Sequence, residues 1–303
     1  MKRGWITWDE TELPRAAFDA RLEMVRQHMA ERGLPALAVY TDVWRSNRAR
    51  YFSNFMPYWN RALLVIPRES APVLLCGLSP RVYPWIRSVT ILDEIRPSPN
   101  LVQQLLQLCR EKQWPRLGVL DVRQLPADLF EQIQAADLET VDVSLPVALD
   151  DPELAMYRHT AKMAREGLEP ELPPAVGVTD YEFASRLERK FRRAGAEDLV
   201  ILISNGAAAP APARGEVLGR DFSVSLALEY RGHWVRLARS ASARDPFPTR
   251  VHVSNLLGPY PYEVSDHLEA PAILAIRFES RTGGLRLFHG DTYVSGNQGL
   301  DLL

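Results

Sequence analysis

Arginines and histidines carry most of the chemistry that this sequence could perform, and they gather in its second half. Residues 225–240, SLALEYRGHWVRLARS, read as a β-hairpin with Ser225 on one strand and Arg236 and Arg239 on the other. Arg277 stands in a further strand-like run, ILAIRFES. A guanidinium is a planar fork of donors that grips a carboxylate or phosphate at two points. The histidines are His28, His159, His233, His252, His267 and His289. Imidazole changes charge near neutral pH, so His233 and His289, both in strand-like runs, are candidate general bases. A packed or surface imidazole is the plainer reading of each. No Ser–His–Asp order can be assembled from spacing. No glycine-rich phosphate loop is present, and GPYPYE (258–263) reads as a turn.

Two sets of elements must position these groups. Apolar residues Phe18, Leu22, Val25 and Met29 recur at helical spacing over 15–33. LPALAVYT (34–41), RALLVIP (61–67), PVLLCG (72–77), RLGVLD (116–121) and TVDVS (140–144) read as strands. LVQQLLQLCREK (101–112) and PADLFEQIQAA (126–136) read as helices between them. That alternation predicts an α/β domain over residues 1–148. DDPE then marks a junction, followed by an amphipathic helix in 145–169. TDYEFASRLERKFRRAGAED (179–198) is a second helix, with Thr179 and Glu182 as a capping box and Gly195 near its end. Strands follow: LVILIS, DFSVSLALEY, HWVRLARS, ILAIRFES and LRLFHGDTYVS. Residues 149–303 therefore form an α+β domain, with ISNGAAAPAPARG (203–215) as a loop.

Composition narrows the classes. The 303 residues are 46% hydrophobic and 24% charged, enough for two domains with real cores. A net charge of −2 supplies no field that would draw the chain to nucleic acid or an anionic membrane. No apolar run approaches the roughly 18–20 residues a membrane-spanning helix needs. Cys76 and Cys109 sit in apolar surroundings and read as buried thiols, which suits a reducing cytoplasm. No signal-peptide core appears in MKRGWITWDETELP.

Five segments, in order, resemble the creatinase–prolidase–aminopeptidase P family, whose members pair an α/β domain with a pita-bread domain. They are NRARYFSNFMPYWNRALLVIP, DDPELAMYRHTAKMAREG, VGVTDYEFASRLERKFRRAGAED, DFSVSLALEYRGHWVRLARS and GGLRLFHGDTYVSGNQGLDLL. The resemblance implies a creatinase-like N-terminal domain and a truncated pita-bread domain, shortened between Arg239 and Asn255. Metallopeptidases of this family hold two metal ions with two Asp, one His and two Glu. Hard divalent ions need such carboxylates. Carried over, those places fall on Ser225, Arg236, Asn255, Arg277 and Gly290. The family's substrate-binding histidine lands near Ala213. Glu279 and Asp291 are the only acids near enough to be recruited.

Four carboxylates replaced by Ser, Arg, Arg and Gly move the local formal charge by about six units towards positive. Two readings follow. Arg236, Arg277 and Arg239, with Ser225 and Asn255, form a pocket for a small anion, or the arginines pair with Glu279, Glu229 or Asp291 as filler. No metal and no cofactor is expected. The implied function is a peptidase-inactive binding or scaffolding protein. The alternative is a metal-independent hydrolase or lyase acting on a small carboxylate or phosphate, since creatinase itself works without metal. Family habit also implies a homodimer in which the aromatic stretch 51–61 approaches a neighbour's pocket. Trp44, Arg50, Tyr58, Trp59 and Arg61 are candidates for that contact, while Tyr51, Phe52 and Phe55 read as core.

Overall fold

The computed structural model describes residues 7–57, 59–145, 149–242, 250–255, 262–263, 272–282, 284–296 and 299–303. Residues 258–261 of the turn expected over 258–263, Tyr58, His267 and residues 243–249 lie outside them, while Tyr262–Glu263 form a short strand rather than part of a turn. The chain divides into two compact units, Met1–Val147 and Ala148–Leu303.

In the first unit, α1 (Arg15–Glu31) precedes β1 (Ala36–Thr41), α2 (Asn47–Ser53), β2 (Ala62–Pro67), β3 (Val73–Cys76) and α3 (Tyr83–Val89). Then come β4 (Glu94–Pro97), α4 (Leu101–Glu111), β5 (Arg116–Leu120), α5 (Ala127–Gln134) and β6 (Glu139–Val143). The strands form one sheet in the order β4-β3-β2-β1-β5-β6. β1 runs parallel to β5 and antiparallel to β2. Every residue of β1, β2 and β3 is buried, which explains why these runs read as continuously apolar rather than alternating. Helices α2 and α3 and strand β4 have weak or short patterns, and periodicity alone does not reveal them. Arg21 is buried between the rings of Phe18 and Tyr51, at 5.1 and 4.4 Å, and donates to the Tyr51 carbonyl. A cation there is held by two aromatic faces and a backbone acceptor.

The second unit opens with α6 (Asp151–Leu168) and α7 (Asp180–Arg193). Thr179 Oγ1 accepts the Glu182 backbone N–H at 3.2 Å, the N-cap half of the predicted box. Eight strands follow: β7 (Asp198–Asn205), β8 (Phe222–Tyr230), β9 (His233–Ala241), β10 (Arg250–Asn255), β11 (Tyr262–Glu263), β12 (Ala272–Thr282), β13 (Leu285–Gly296) and β14 (Gly299–Leu302). Their order is β11-β10-β12-β13-β9-β8-β7, with β14 on β13. Alternate residues of β8 and β9 (Phe222, Val224, Leu226, Leu228; Val235, Leu237) join Phe183, Leu187 and Phe191 of α7 in one core. The intervening residues, among them Ser225 and Arg236, occupy the other face.

Two local constraints hold this unit together. A Cβ at Gly167 of α6 would lie 2.2 Å from the Phe191 ring, so this glycine sets how closely α6 and α7 pack. Glu279 of β12 has no solvent exposure. Arg286 grips it through two nitrogens, at 2.8 and 3.1 Å, and Arg281 adds Nε at 2.8 Å. These donors, Arg286 first, hold its carboxyl down at about 2.

Two predictions follow from these contacts. Gly167→Val forces a side chain into the Phe191 ring and should lower unfolding stability by about 2 kcal/mol, read from urea midpoints. A depressed carboxylate stabilises the fold above its ordinary titration range and ceases to do so as pH falls towards 2. Glu279→Gln should therefore destabilise most at neutral pH. The gap from the parent protein should narrow on acidification from pH 5 to pH 3 and close only towards pH 2, measured by urea unfolding at each pH.

Candidate functional site

One row of directly opposed residues crosses five strands of the second unit. His252 of β10 pairs with Arg277 of β12, Arg277 with Gly290 of β13, Gly290 with Ala238 of β9, and Ala238 with Ser225 of β8. Opposed residues in an antiparallel ladder share a face. Arg236 lies two positions from Ala238 on that face, opposite Ala227. Ser225, Arg236, Ala238, His252, Ser254, Ala275, Arg277 and Gly290 line a cavity of about 480 Å³, the size of a small-molecule site. Ala238, Ala275 and Gly290 on its wall carry small side chains or none. Gly290 is required there: a Cβ would fall 2.5 Å from the Ile276 carbonyl oxygen and 2.8 Å from the Arg277 Cα.

Both arginines are held in an unfavourable setting for a cation. Burial, then the neighbouring Arg277, pulls the Arg236 pKa down to about 10. Burial also lowers that of Arg277, with Glu279 opposing and Arg286 reinforcing the shift. The Arg277 guanidinium lies 4.9 Å from the centre of the Phe288 ring. Its Nε is buried and, among the described residues, has no hydrogen-bond partner. Of the acids expected to act as filler, Glu229 is buried two residues from Ala227, the ladder partner of Arg236, and on the same strand face, and the other two are held by further arginines. Glu279 is clamped by Arg286 and Arg281, and Asp291 by Arg239 and Arg165.

Several candidates fall away from the cavity, and the two-residue period of a strand explains each. Arg239 projects to the helix-covered face. Its donors reach Glu169 at 2.8 Å, Asp291 at 3.1 Å and the Gly290 carbonyl at 2.8 Å, so it braces the sheet and is not a cavity ligand. His233, an odd step from Arg236, is fully buried on that face. Its Nε2 lies 3.0 Å from Glu153 Oε2 and its ring meets Tyr157 edge-on, which leaves a substrate no access. His289, one step from Gly290, neighbours Asp291 and Arg239 instead. Burial, then Arg239, lowers its pKa. Asn255 pairs with Leu274 in the ladder, and its side chain lies outside the described residues. His252 holds the register position opposite Arg277. VHVSN alternates as a strand does, but it lies in the segment between Arg239 and Asn255 that reads as trimmed.

The remaining candidates belong to the first unit. Trp59 and Trp44 are 42% and 69% exposed. Arg61 pairs with Asp128 at 2.7 Å. Arg50 is buried in α2.

A divalent metal does not fit the cavity row. Of the lining, only His252 and Asp291 are ligand types for such ions, Asp291 is held by Arg239 and Arg165, and Arg236 and Arg277 add two cations. Among the described residues no group of three or more His, Cys, Asp or Glu side chains could hold a metal ion.

The profile of the creatinase/prolidase N-terminal domain matches residues 21–149. No curated protein matches the sequence. Solved structures do match the fold. The Xaa-Pro dipeptidase from Bacillus anthracis superposes with a TM-score of 0.73 at 16% identity, covering 94% of this chain and 97% of that one. The prolidase from Pyrococcus horikoshii OT3 gives 0.73 at 12% identity, covering 93% and 97%. The X-Pro aminopeptidase from Thermotoga maritima MSB8 gives 0.69 at 14%, covering 89% and 95%. Residues 21–149 thus match a creatinase/prolidase N-terminal domain, and the chain as a whole shares the fold of these dipeptidase, prolidase and aminopeptidase structures, with a pita-bread second domain.

Proposed function

We propose that this chain is a metal-free, peptidase-inactive relative of the prolidases that binds a small anion, a carboxylate or a phosphate, between Arg236 and Arg277. The observation that carries the reading is the pair of half-buried guanidinium groups on one cavity wall, with Gly290 and Ala238 leaving the space before them open. An anion there supplies acceptors to the buried Arg277 guanidinium, whose Nε has no hydrogen-bond partner among the described residues. A metal-independent hydrolase or lyase acting on such an anion is the second reading. One observation favours it: His252, backed by the carboxylate of Glu279, stands on the cavity wall beside Arg277.

The exposed Trp44 and Trp59 support assembly as a homodimer through the first unit. The buried free thiols Cys76 and Cys109 suit a reducing compartment such as the cytoplasm.

Two measurements test these readings. Phosphate, sulfate or a small carboxylate should raise the thermal midpoint of the parent protein, and Arg236→Ala or Arg277→Ala should each weaken binding about 10- to 100-fold while the chain stays folded. No stabilisation by any such anion would overturn the anion reading. Light scattering at micromolar concentration should return twice the 34.3 kDa chain mass, and a monomer mass would remove the dimer.

A further inference from the structure

The anion reading leaves His252 on the cavity wall without a role. His252 is the directly opposed partner of Arg277, so their Cβ atoms stand about 5 Å apart on the cavity face. Its side chain is 34% exposed and lines the cavity. Its Nε2 lies 3.4 Å from Glu279 Oε2. Glu279 is two residues from Arg277 on the same strand and face, and it is gripped by Arg286 and Arg281. A carboxylate clamped by two guanidinium groups is ionised and only accepts. The His252 Nε2 must then carry the proton and donate it. In the neutral ring this fixes the tautomer and leaves Nδ1 as an acceptor. No hydrogen bond reaches Nδ1 among the described residues. The result is an acceptor held beside a cation that grips carboxylates.

Resting on the anion reading, we infer that His252 is a ligand-contacting residue positioned by Glu279, and that the site selects a carboxylate bearing a hydroxyl on the adjacent carbon. The carboxylate lies on the Arg277 fork. The hydroxyl donates to Nδ1, with the Ser254 hydroxyl beside it on the same strand face. A plain carboxylate leaves Nδ1 without a donor. A phosphate satisfies the arginines but carries no neighbouring carbon-bound hydroxyl of its own.

The test compares two acids of one skeleton, 3-phenyllactate and 3-phenylpropionate, which differ only in that hydroxyl. Calorimetry on the full chain should show the hydroxy acid bound about fivefold more tightly, the size of one neutral hydrogen bond. His252→Phe should abolish the preference while keeping 3-phenylpropionate within about twofold of its parent affinity. His252→Gln, whose amide oxygen can accept, should keep part of it, and it serves as the test should the phenylalanine variant fail to fold. Equal binding of both acids by the parent, or a preference that persists in His252→Phe or is untouched by a folded His252→Gln, overturns the role of His252 and leaves the anion site standing. Binding of neither acid, nor of phosphate, removes the anion site and this inference with it.

Discussion

The pleat of the eight-stranded sheet is the constraint on which the second unit depends. Successive side chains leave a strand on opposite faces, so each strand must satisfy two environments at once. In β8 and β9 one face meets α6 and α7 and is apolar, while the other carries Ser225, Ala227, Arg236 and Ala238. A one-residue change of register would drive Arg236 into the helix core and expose Leu237. The apolar face therefore fixes the address of every polar group on the cavity side, although none of those groups contributes to the core.

That division also explains how the sheet tolerates so many charges. Arg239 and Asp291 neutralise one another on the helix-covered face. Glu279 is matched by Arg286 and Arg281. Each of these pairs is held by several hydrogen bonds, the condition under which a buried charge can persist. Arg236 and Arg277 are arranged differently. Each is a cation whose charged form burial disfavours, and each is near the other. The close approach of β12 and β13 at Gly290 lets the cavity extend between them, because no side chain can occupy that point.

The same geometry bears on function in the family. The fold matches structures of proline-specific dipeptidases and aminopeptidases across nearly the whole chain, at identities low enough that only the architecture is shared. A fold does not carry an activity by itself, and the chemistry resides in the groups grafted onto it. Here Arg236 and Arg277 stand on the cavity wall, and among the described residues no group of three or more His, Cys, Asp or Glu could hold a metal ion.

The sequence by itself determined the order of domains, the long helices and most strands, because apolar periodicity and caps such as Thr179 act locally. It also placed Ser225, Arg236 and Arg277 as candidates for one site, since the resemblance supplied a register for those strands. It could not show that His233, His289 and Arg239 turn away, although they are close in sequence to residues that face the cavity. Facing depends on a parity that a bulge or a one-residue misalignment inverts. His252 was not singled out because β10 lies in the segment between Arg239 and Asn255 that reads as trimmed. Only the tertiary structure, by pairing His252 with Arg277 and Gly290 with Ala238 across chain distances that no local pattern spans, decided which side chains meet.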